Sequence, residues 1–263
     1  MKPDWTAPAT LLADPEWVRT RIGGAAKLYG CARPEVLGTI WWYSLSSVLV
    51  APAVESLVAA ASAGRALDGE TADRGESPER ADRVASPSPT GTAPAEPSAL
   101  SAPADPAAAN HSAGPVLADP SLDAMELDLL ADGRFLGARS TRPLSGGLPE
   151  LGAALAGALG AAIATVAAVT GARARALGAI ATDSIGNRLL WTPDPERAMA
   201  LAEPLVAAIG LGLPKPRFVR VGRTPAVRRA SCCLIYEVGN PKCVSCPRQT
   251  PAERDARLRA ALG

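Results

Sequence analysis

The stretch LPELGAALAGALGAAIATVAAVTG, Leu148 to Gly171, decides the fold class. It is uncharged after Glu150 and long enough to cross a bilayer, for which about 20 apolar residues suffice. Its composition argues otherwise. Most of it is Ala and Gly, and the strong apolars fall at Leu151, Leu155, Leu159, Ile163, Val166 and Val169. Spacings of four, four, four, three and three trace one face of a helix. A lipid-facing helix would be apolar all round with large side chains. The stretch therefore reads as a helix with one face in a protein core. The uncharged run Val36 to Val54 reads the same way, because it contains Thr39, Ser44, Ser46, Ser47 and Pro52 and meets Glu55 at once.

Other helices announce themselves by their caps. Asp14-Pro15-Glu16-Trp17 is an N-cap followed by Pro at the first helical position, with an end expected near Gly30. A second helix starts near Pro34 and carries Trp41, Trp42 and Tyr43 into the core; these aromatics could also wall a ligand site. Further helices are expected at about 172–191 and 194–209, the latter opening Asp194-Pro195-Glu196. Thr250-Pro251 with Glu253 is a capping box for a last helix to about Leu262, expected beside the cysteines described below. Met125, Leu127 and Leu129 alternate with Glu126 and Asp128, Asp132-Gly133 supplies a tight turn, and residues 134–139 return. Phe218-Val219-Arg220-Val221 reads as a short strand. The expected fold is α+β: predominantly helical, with a small antiparallel sheet or hairpin.

Residues 66–115 break the pattern. They hold eight prolines, and their only large apolars are Leu67, Val84 and Leu100. Such a segment cannot bury enough surface to offset its ordering entropy, so it reads as a disordered Pro/Ala/Ser-rich insert. The sole histidine, His111, lies in it, which makes a Ser/His/Asp triad implausible. There is no Gly-x-Gly-x-x-Gly fingerprint and no Walker A sequence. A net charge of +1 gives no general pull on nucleic acid. Locally, Pro204 to Tyr236 contains no acid but holds Lys215, Arg217, Arg220, Arg223, Arg228 and Arg229. Asp183, Asn187 and Arg188 share the helix expected at 172–191, where Asp183–Asn187 reads as a local contact.

That acid-free window runs into four of the five cysteines: Cys232-Cys233, then nine residues, then Cys243-Val244-Ser245-Cys246-Pro247. Thiolates are soft ligands that select zinc, copper(I) or iron–sulfur clusters. Zinc normally takes two Cys-x₂₋₄-Cys half-sites, and only Cys243/Cys246 has that spacing. A disulfide framework needs an oxidising compartment, and Met1 to Trp5 shows no basic region followed by an apolar one. A Cys₄ iron–sulfur cluster is the third reading, and Cys-x-x-Cys before Pro occurs in ferredoxin ligand runs. Adjacent cysteines in an extended strand point to opposite faces, so a shared site requires a bend at Cys232-Cys233. Cys31 stands alone and reads as a buried free thiol.

The stretch Arg228-Arg229-Ala230-Ser231-Cys232-Cys233-Leu234-Ile235-Tyr236 with Cys243-Val244-Ser245-Cys246-Pro247 resembles the C-terminal signature of the FhuF-like ferric-siderophore reductases. The sharp part covers about residues 228–248. The family's middle gap is ten residues and here it is nine, the difference falling around the turn Gly239-Asn240-Pro241. The resemblance implies a [2Fe–2S] cluster on Cys232, Cys233, Cys243 and Cys246. It implies one-electron reduction of siderophore-bound Fe(III) to release Fe(II), with electrons from an external ferredoxin or flavoprotein reductase. Arg228 and Arg229 are candidates to steady the anionic cluster and to steer anionic ferric chelates. The alternative is a zinc-stabilised or siderophore-binding module without redox activity. The expected location is cytoplasmic, either free or peripheral to the inner face of the membrane, with no membrane span. The parts are then 1–65, an N-terminal helical piece; 66–115, the insert; 116–227, a helical body with the hairpin; and 228–263, the cluster-binding segment.

The composition of the insert yields a test. Replacing residues 68–114 with a short flexible linker should leave iron content and melting temperature nearly unchanged. A fall beyond about 5 °C, the scale of a loss of more than about 1 kcal/mol, would show that the insert packs.

Overall fold

The computed structural model describes residues 2–64 and 116–263, so the expected insert and His111 lie outside the described residues. In chain order the elements are β1 (Trp5–Pro8), α1 (Pro15–Tyr29), α2 (Pro34–Leu49), α3 (Ala51–Ser62), β2 (Met125–Leu129), β3 (Phe135–Ser140), α4 (Leu148–Thr170), α5 (Ala174–Leu190), α6 (Pro195–Met199), α7 (Ala202–Ile209), β4 (Phe218–Val221), β5 (Thr224–Val227) and α8 (Pro251–Leu262). The fold is α+β and mainly helical, with an antiparallel sheet β1-β2-β3 and a β4-β5 hairpin.

The caps behave as their chemistry requires. The Asp14 carboxylate accepts from the N–H groups of Glu16 and Trp17, and α1 ends on Gly30 at φ +59°. Asp194 accepts from Arg197 N–H, and Thr250 with Glu253 forms the capping box of α8. Two expected helices are each split. The run from Pro34 passes from α2 to α3 at Val50, with Pro52 in the first turn of α3. The helix expected at 194–209 stops at Met199 and restarts at Ala202, with Pro204 in the new first turn. In each case proline has no N–H for the carbonyl four residues back and is tolerated only in a first turn.

The core gathers around α2, which packs against α1, α4, α5 and β3. Trp42 is fully buried and its indole N–H donates to Leu177 C=O of α5 at 2.7 Å. Trp41 meets Phe135 of β3 edge-on at 5.3 Å. The sheet buries Met125, Leu127 and Leu129, as their alternation requires. Helix α4 buries Leu151, Leu155, Leu159 and Val166, but Ile163 and Val169 are only partly covered, and Ala158 and Ala162 lie inward instead. Each i,i+4 step advances about 40° beyond a full turn, so three of them carry Ile163 off the buried stripe. By length and composition Pro34–Ser62 and Leu148–Thr170 could each cross a membrane; 61% and 39% of their most apolar windows are buried in the protein.

Hairpin β4-β5 lies against α5, where Val227 sits 3.0 Å from the position a Cβ on Gly186 would take. Helix α8 covers the hairpin's other side through Leu258, which packs with Val221 and Ala226. The cysteine segment thus leaves β5 alongside α5 and returns into α8.

Helices α4 and α7 touch most closely at Gly152, where an added Cβ would lie 2.6 Å from the carbonyl carbon and oxygen of Ala208. Backbone cannot swing aside. Gly152→Ala should cost about 1–3 kcal/mol and lower the melting temperature by roughly 2–4 °C per kilocalorie. Gly160→Ala, whose Cβ would meet only Leu211 methyls at 3.7 and 3.9 Å, should be neutral or stabilising. Equal melting temperatures for the two would refute this packing.

Candidate metal centre

After β5 the chain has no strand partner, and side chains set its path. Asp183, 2% exposed on α5, accepts from the N–H of Ala230 at 2.8 Å and of Ser231 at 3.2 Å. The expected Asp183–Asn187 contact is replaced by these bonds, because a buried carboxylate satisfies its lone pairs from the nearest free N–H groups. Arg188 donates from Nε to Ser47 C=O and stacks on Trp191. Leu234 then takes a left-handed conformation at φ +60°, which turns the chain directly after the paired cysteines. A second turn closes where Cys246 N–H reaches Cys243 C=O at 3.1 Å. Gln249 Nε2 also donates to Cys243 C=O, and Arg257 of α8 reaches Lys242 C=O at 2.9 Å.

These turns bring the four sulfurs together as two pairs. Cys232 Sγ lies 3.7 Å from Cys246 Sγ. Cys233 and Cys243 form the other pair, close enough to perturb each other's titration. Arg229 Nη1 reaches both of the latter, at 3.6 and 3.2 Å. Metal–thiolate bonds of about 2.3 Å at tetrahedral angles place two sulfurs about 3.8 Å apart, so the first pair already has the edge length of one metal site. A single zinc would draw all four sulfurs to one point. Among the described residues no three His, Cys, Asp or Glu side chains converge in that way. Two separated pairs suit a two-iron centre, with one pair for each iron. Cys31 is a half-buried free thiol that belongs to neither pair, less enclosed than expected because the turn after α1 leaves it near the surface.

Arg229 is the main correction to the sequence reading. At 6% exposed it cannot steer a substrate through solvent. It stacks on Tyr43 of α2 at 4.6 Å, faces Asp183 through Nε at 3.5 Å, and holds Nη1 against two sulfurs. Its Nη2 is buried without a protein partner and so keeps donor capacity for an anionic group. Tyr43 accordingly walls the thiol site. Arg228 points elsewhere, into a cleft of about 450 Å³ shared with Arg220, Asp255 and Arg259. The rest of the basic window is partly neutralised, since Lys215 pairs with Glu203 and Arg220 with Glu196.

Three of the thiols are shifted by burial and by their neighbours. The neighbouring Cys243, with Arg229 nearby, draws Cys233 down to about 5 against its burial. Cys233 and burial push Cys243 well up, and burial pushes Cys232 up to about 11. Burial raises the Asp183 carboxyl, with the Ala230 N–H and Arg229 restraining the shift. Burial opposes the charge on Arg229, but the neighbouring Cys233 and Cys243 outweigh it and raise its pKa.

Residues 229–248 match the family model described as the FhuF 2Fe-2S C-terminal domain. No curated protein and no solved structure matches the chain. The matched segment holds the four cysteines, Arg229 and both turns. Residues 229–248 are therefore a segment of the FhuF 2Fe-2S type, and the cofactor it supports is a [2Fe–2S] cluster. The donor set fits that group: four thiols in two pairs, a buried guanidinium, and the Leu234 N–H directed at Cys232 Sγ at 3.5 Å.

Positive charge and hydrogen bonds at the sulfurs favour the reduced, more negative state. Arg229→Met should therefore lower the cluster's midpoint potential, and Arg229→Lys should restore part of it. A differential interaction of ~1.4 kcal/mol corresponds to ~59 mV for one electron, and a fall of that order is expected. The check is a redox titration followed by visible absorption, with iron and sulfide measured on each variant. An unmoved potential with full iron content would show that Arg229 only shapes the loop.

Proposed function

We propose that this protein is a ferric-siderophore reductase, which reduces siderophore-bound Fe(III) by one electron so that iron leaves as Fe(II). The reading rests on one observation above all: four thiols, held as two pairs around a buried guanidinium, lie in a segment of the FhuF [2Fe–2S] type. The bound cluster supplies one electron at a time at a potential set by its surroundings. Siderophore oxygens are hard and anionic, so they hold Fe(III) tightly and Fe(II) weakly. Reduction thus converts a captured ion into a releasable one.

In this reading Cys232, Cys233, Cys243 and Cys246 are the ligands and Cys31 is not. Arg229 offsets the anionic charge, and Asp183 keeps Arg229 and the loop in register. The sequence carries no nucleotide fingerprint, so the electron comes from a partner protein of the ferredoxin or flavoprotein reductase class. Reduced thiols and internal iron release suit the cytoplasm, with the protein free or peripheral to the inner face of the membrane.

The test is anaerobic purification followed by rapid mixing of the dithionite-reduced protein, freed of reductant, with a ferric siderophore and a ferrous-iron trap. The visible bands should return to the oxidised form as trapped Fe(II) appears, one per cluster. Ser at any of the four clustered cysteines should abolish or strongly alter the spectrum, whereas Cys31→Ser should not. A colourless protein containing zinc would overturn the reading. So would a reduced cluster that binds the chelate but leaves its iron ferric.

A further inference from the structure

Beside the thiols lies an open cavity of about 600 Å³, enclosed by the start of α2, the α4–α5 turn and the cysteine loop. Of the four clustered cysteines, Cys232 alone forms part of its wall. Arg229, Cys233 and Cys243 are not in its lining; Arg229 joins the two sulfurs and stacks on Tyr43. The volume lies within the ~300–1,000 Å³ usual for small-molecule sites. A concave hollow of this size suits a compact chelate better than the broad surface of a redox protein.

The cavity's shape is built into the fold. Gly38 of α2 faces Thr170 so closely that a Cβ would lie 2.6 Å from its Oγ1. Gly171, at φ +73°, then ends α4 and turns the chain into α5. The α4–α5 turn is thereby pinned against α2, and Arg173 follows Gly171 by two residues. Arg173 projects from this wall, and Arg248 projects from the cysteine loop, directly after Pro247. Both are exposed, and neither is paired with a carboxylate among the described residues. Glu35 is the single carboxylate in the lining. Two guanidinium forks with no salt-bridge partner within 4 Å among the described residues, facing one hollow, suit oxygen-rich anions, which they can grip in bidentate fashion.

We propose that this cavity docks an anionic ferric chelate, with Arg173 and Arg248 as its grips and Cys232 as the sulfur that faces the bound iron. The assignment rests on the reductase reading and adds to it where the substrate sits and what charge it carries. On transfer, chelated Fe(III) gains one electron and becomes Fe(II). That electron would come from the cluster that Cys232, Cys233, Cys243 and Cys246 would hold, and the external donor would replace it. Arg228, the surface cation singled out by the sequence, faces the cleft beside α8 and takes no part.

The experiment titrates oxidised, cluster-loaded protein with gallium(III) tricatecholate, a redox-inert complex of charge 3−, and in parallel with neutral gallium(III) tris(acetohydroxamate). Calorimetry reads binding, and iron content with visible absorption reports the cluster. Arg173→Glu with Arg248→Glu should weaken the anionic complex by about tenfold or more, and change the neutral one far less. Glu35→Gln should tighten the anionic complex. Ala176→Trp, which fills the hollow without changing charge, should weaken both. Arg228→Glu reverses one charge outside the cavity, half the change of the double variant, and should alter binding less than twofold.

Because gallium is not reduced, docking and catalysis fail separately. Gallium binding that follows this pattern, with no reduction of the iron complex, would sink the reductase reading and leave the docking site standing. No binding to the unmodified protein would overturn the site. So would equal affinity across the Arg173, Arg248 and Ala176 variants, whatever their activity. If the double reversal loses its cluster, Ala176→Trp and Glu35→Gln decide on their own.

Discussion

A buried line of charge holds this site together: the Asp183 carboxylate, the Arg229 guanidinium and the sulfurs of Cys233 and Cys243. Each member is costly alone, because a lone charge in a protein interior loses its hydration. Together they offset one another. Asp183 is 2% exposed and Arg229 6%, so solvent relieves neither. Removing one partner of a buried pair typically costs about 3–5 kcal/mol, since the other is left uncompensated. The line also fixes geometry. Asp183 belongs to α5, Tyr43 beneath Arg229 belongs to α2, and the sulfurs belong to a loop with no strand partner. The helical body therefore orients the loop, although few apolar contacts join them.

Features governed by neighbours in sequence were legible. Asp14, Asp194 and Thr250 cap helices because each cap is closed within three residues. The β2–β3 hairpin follows from alternation plus Asp132-Gly133. Features that depend on distant partners were not legible. Strand β1 exists because Trp5 to Pro8 pairs with Glu126 to Leu129, more than a hundred residues away. Asp183 resembled an ordinary helix acid, and nothing local tells that its partners are Ala230 and Ser231. Arg228 and Arg229 look alike in sequence, yet one is exposed and the other is the most important cation in the molecule. Their neighbours on β5 and α5 make the difference. A conditional signal did exist for Arg229: it lies four residues before Cys233, and any fold of the cysteines into one site carries that side chain near them.

The adjacent cysteines raise a geometric question, because neighbours in an extended chain point to opposite sides. The structure uses that divergence. Cys232 turns toward Cys246, and Cys233 toward Cys243. Opposed directions would suit a two-iron centre, in which each half would take one thiol from the paired cysteines and one from the Cys-x-x-Cys turn. The two halves also differ in surroundings. Cys233 and Cys243 face Arg229, whereas Cys232 borders the open cavity and Cys246 is 1% exposed. One half is anchored by Arg229, and the other borders the cavity through Cys232.

Pairing of this kind explains how the segment accepts a gap one residue shorter than the family's ten. The pairs are nested: Cys232 with Cys246 outside, Cys233 with Cys243 inside. Residues 234–242 only close the inner loop, so their number affects the path of that loop and not the relation between the pairs. Loop closure depends weakly on length. The local conformation absorbs the change. Leu234 turns at φ +60°, a single 3-10 turn spans Ile235–Val238, and Gly239 turns again at φ +84°. A left-handed leucine is unfavourable by itself and persists only where its surroundings fix it. Here the fixing comes from both sides. Asp183 holds the two residues before Cys232, and Glu237 pairs with Arg33 at 2.5 Å, tying the loop to the start of α2. With its two ends fixed to α5 and α2, the loop can lose a residue at Gly239-Asn240-Pro241 while its sulfurs stay paired.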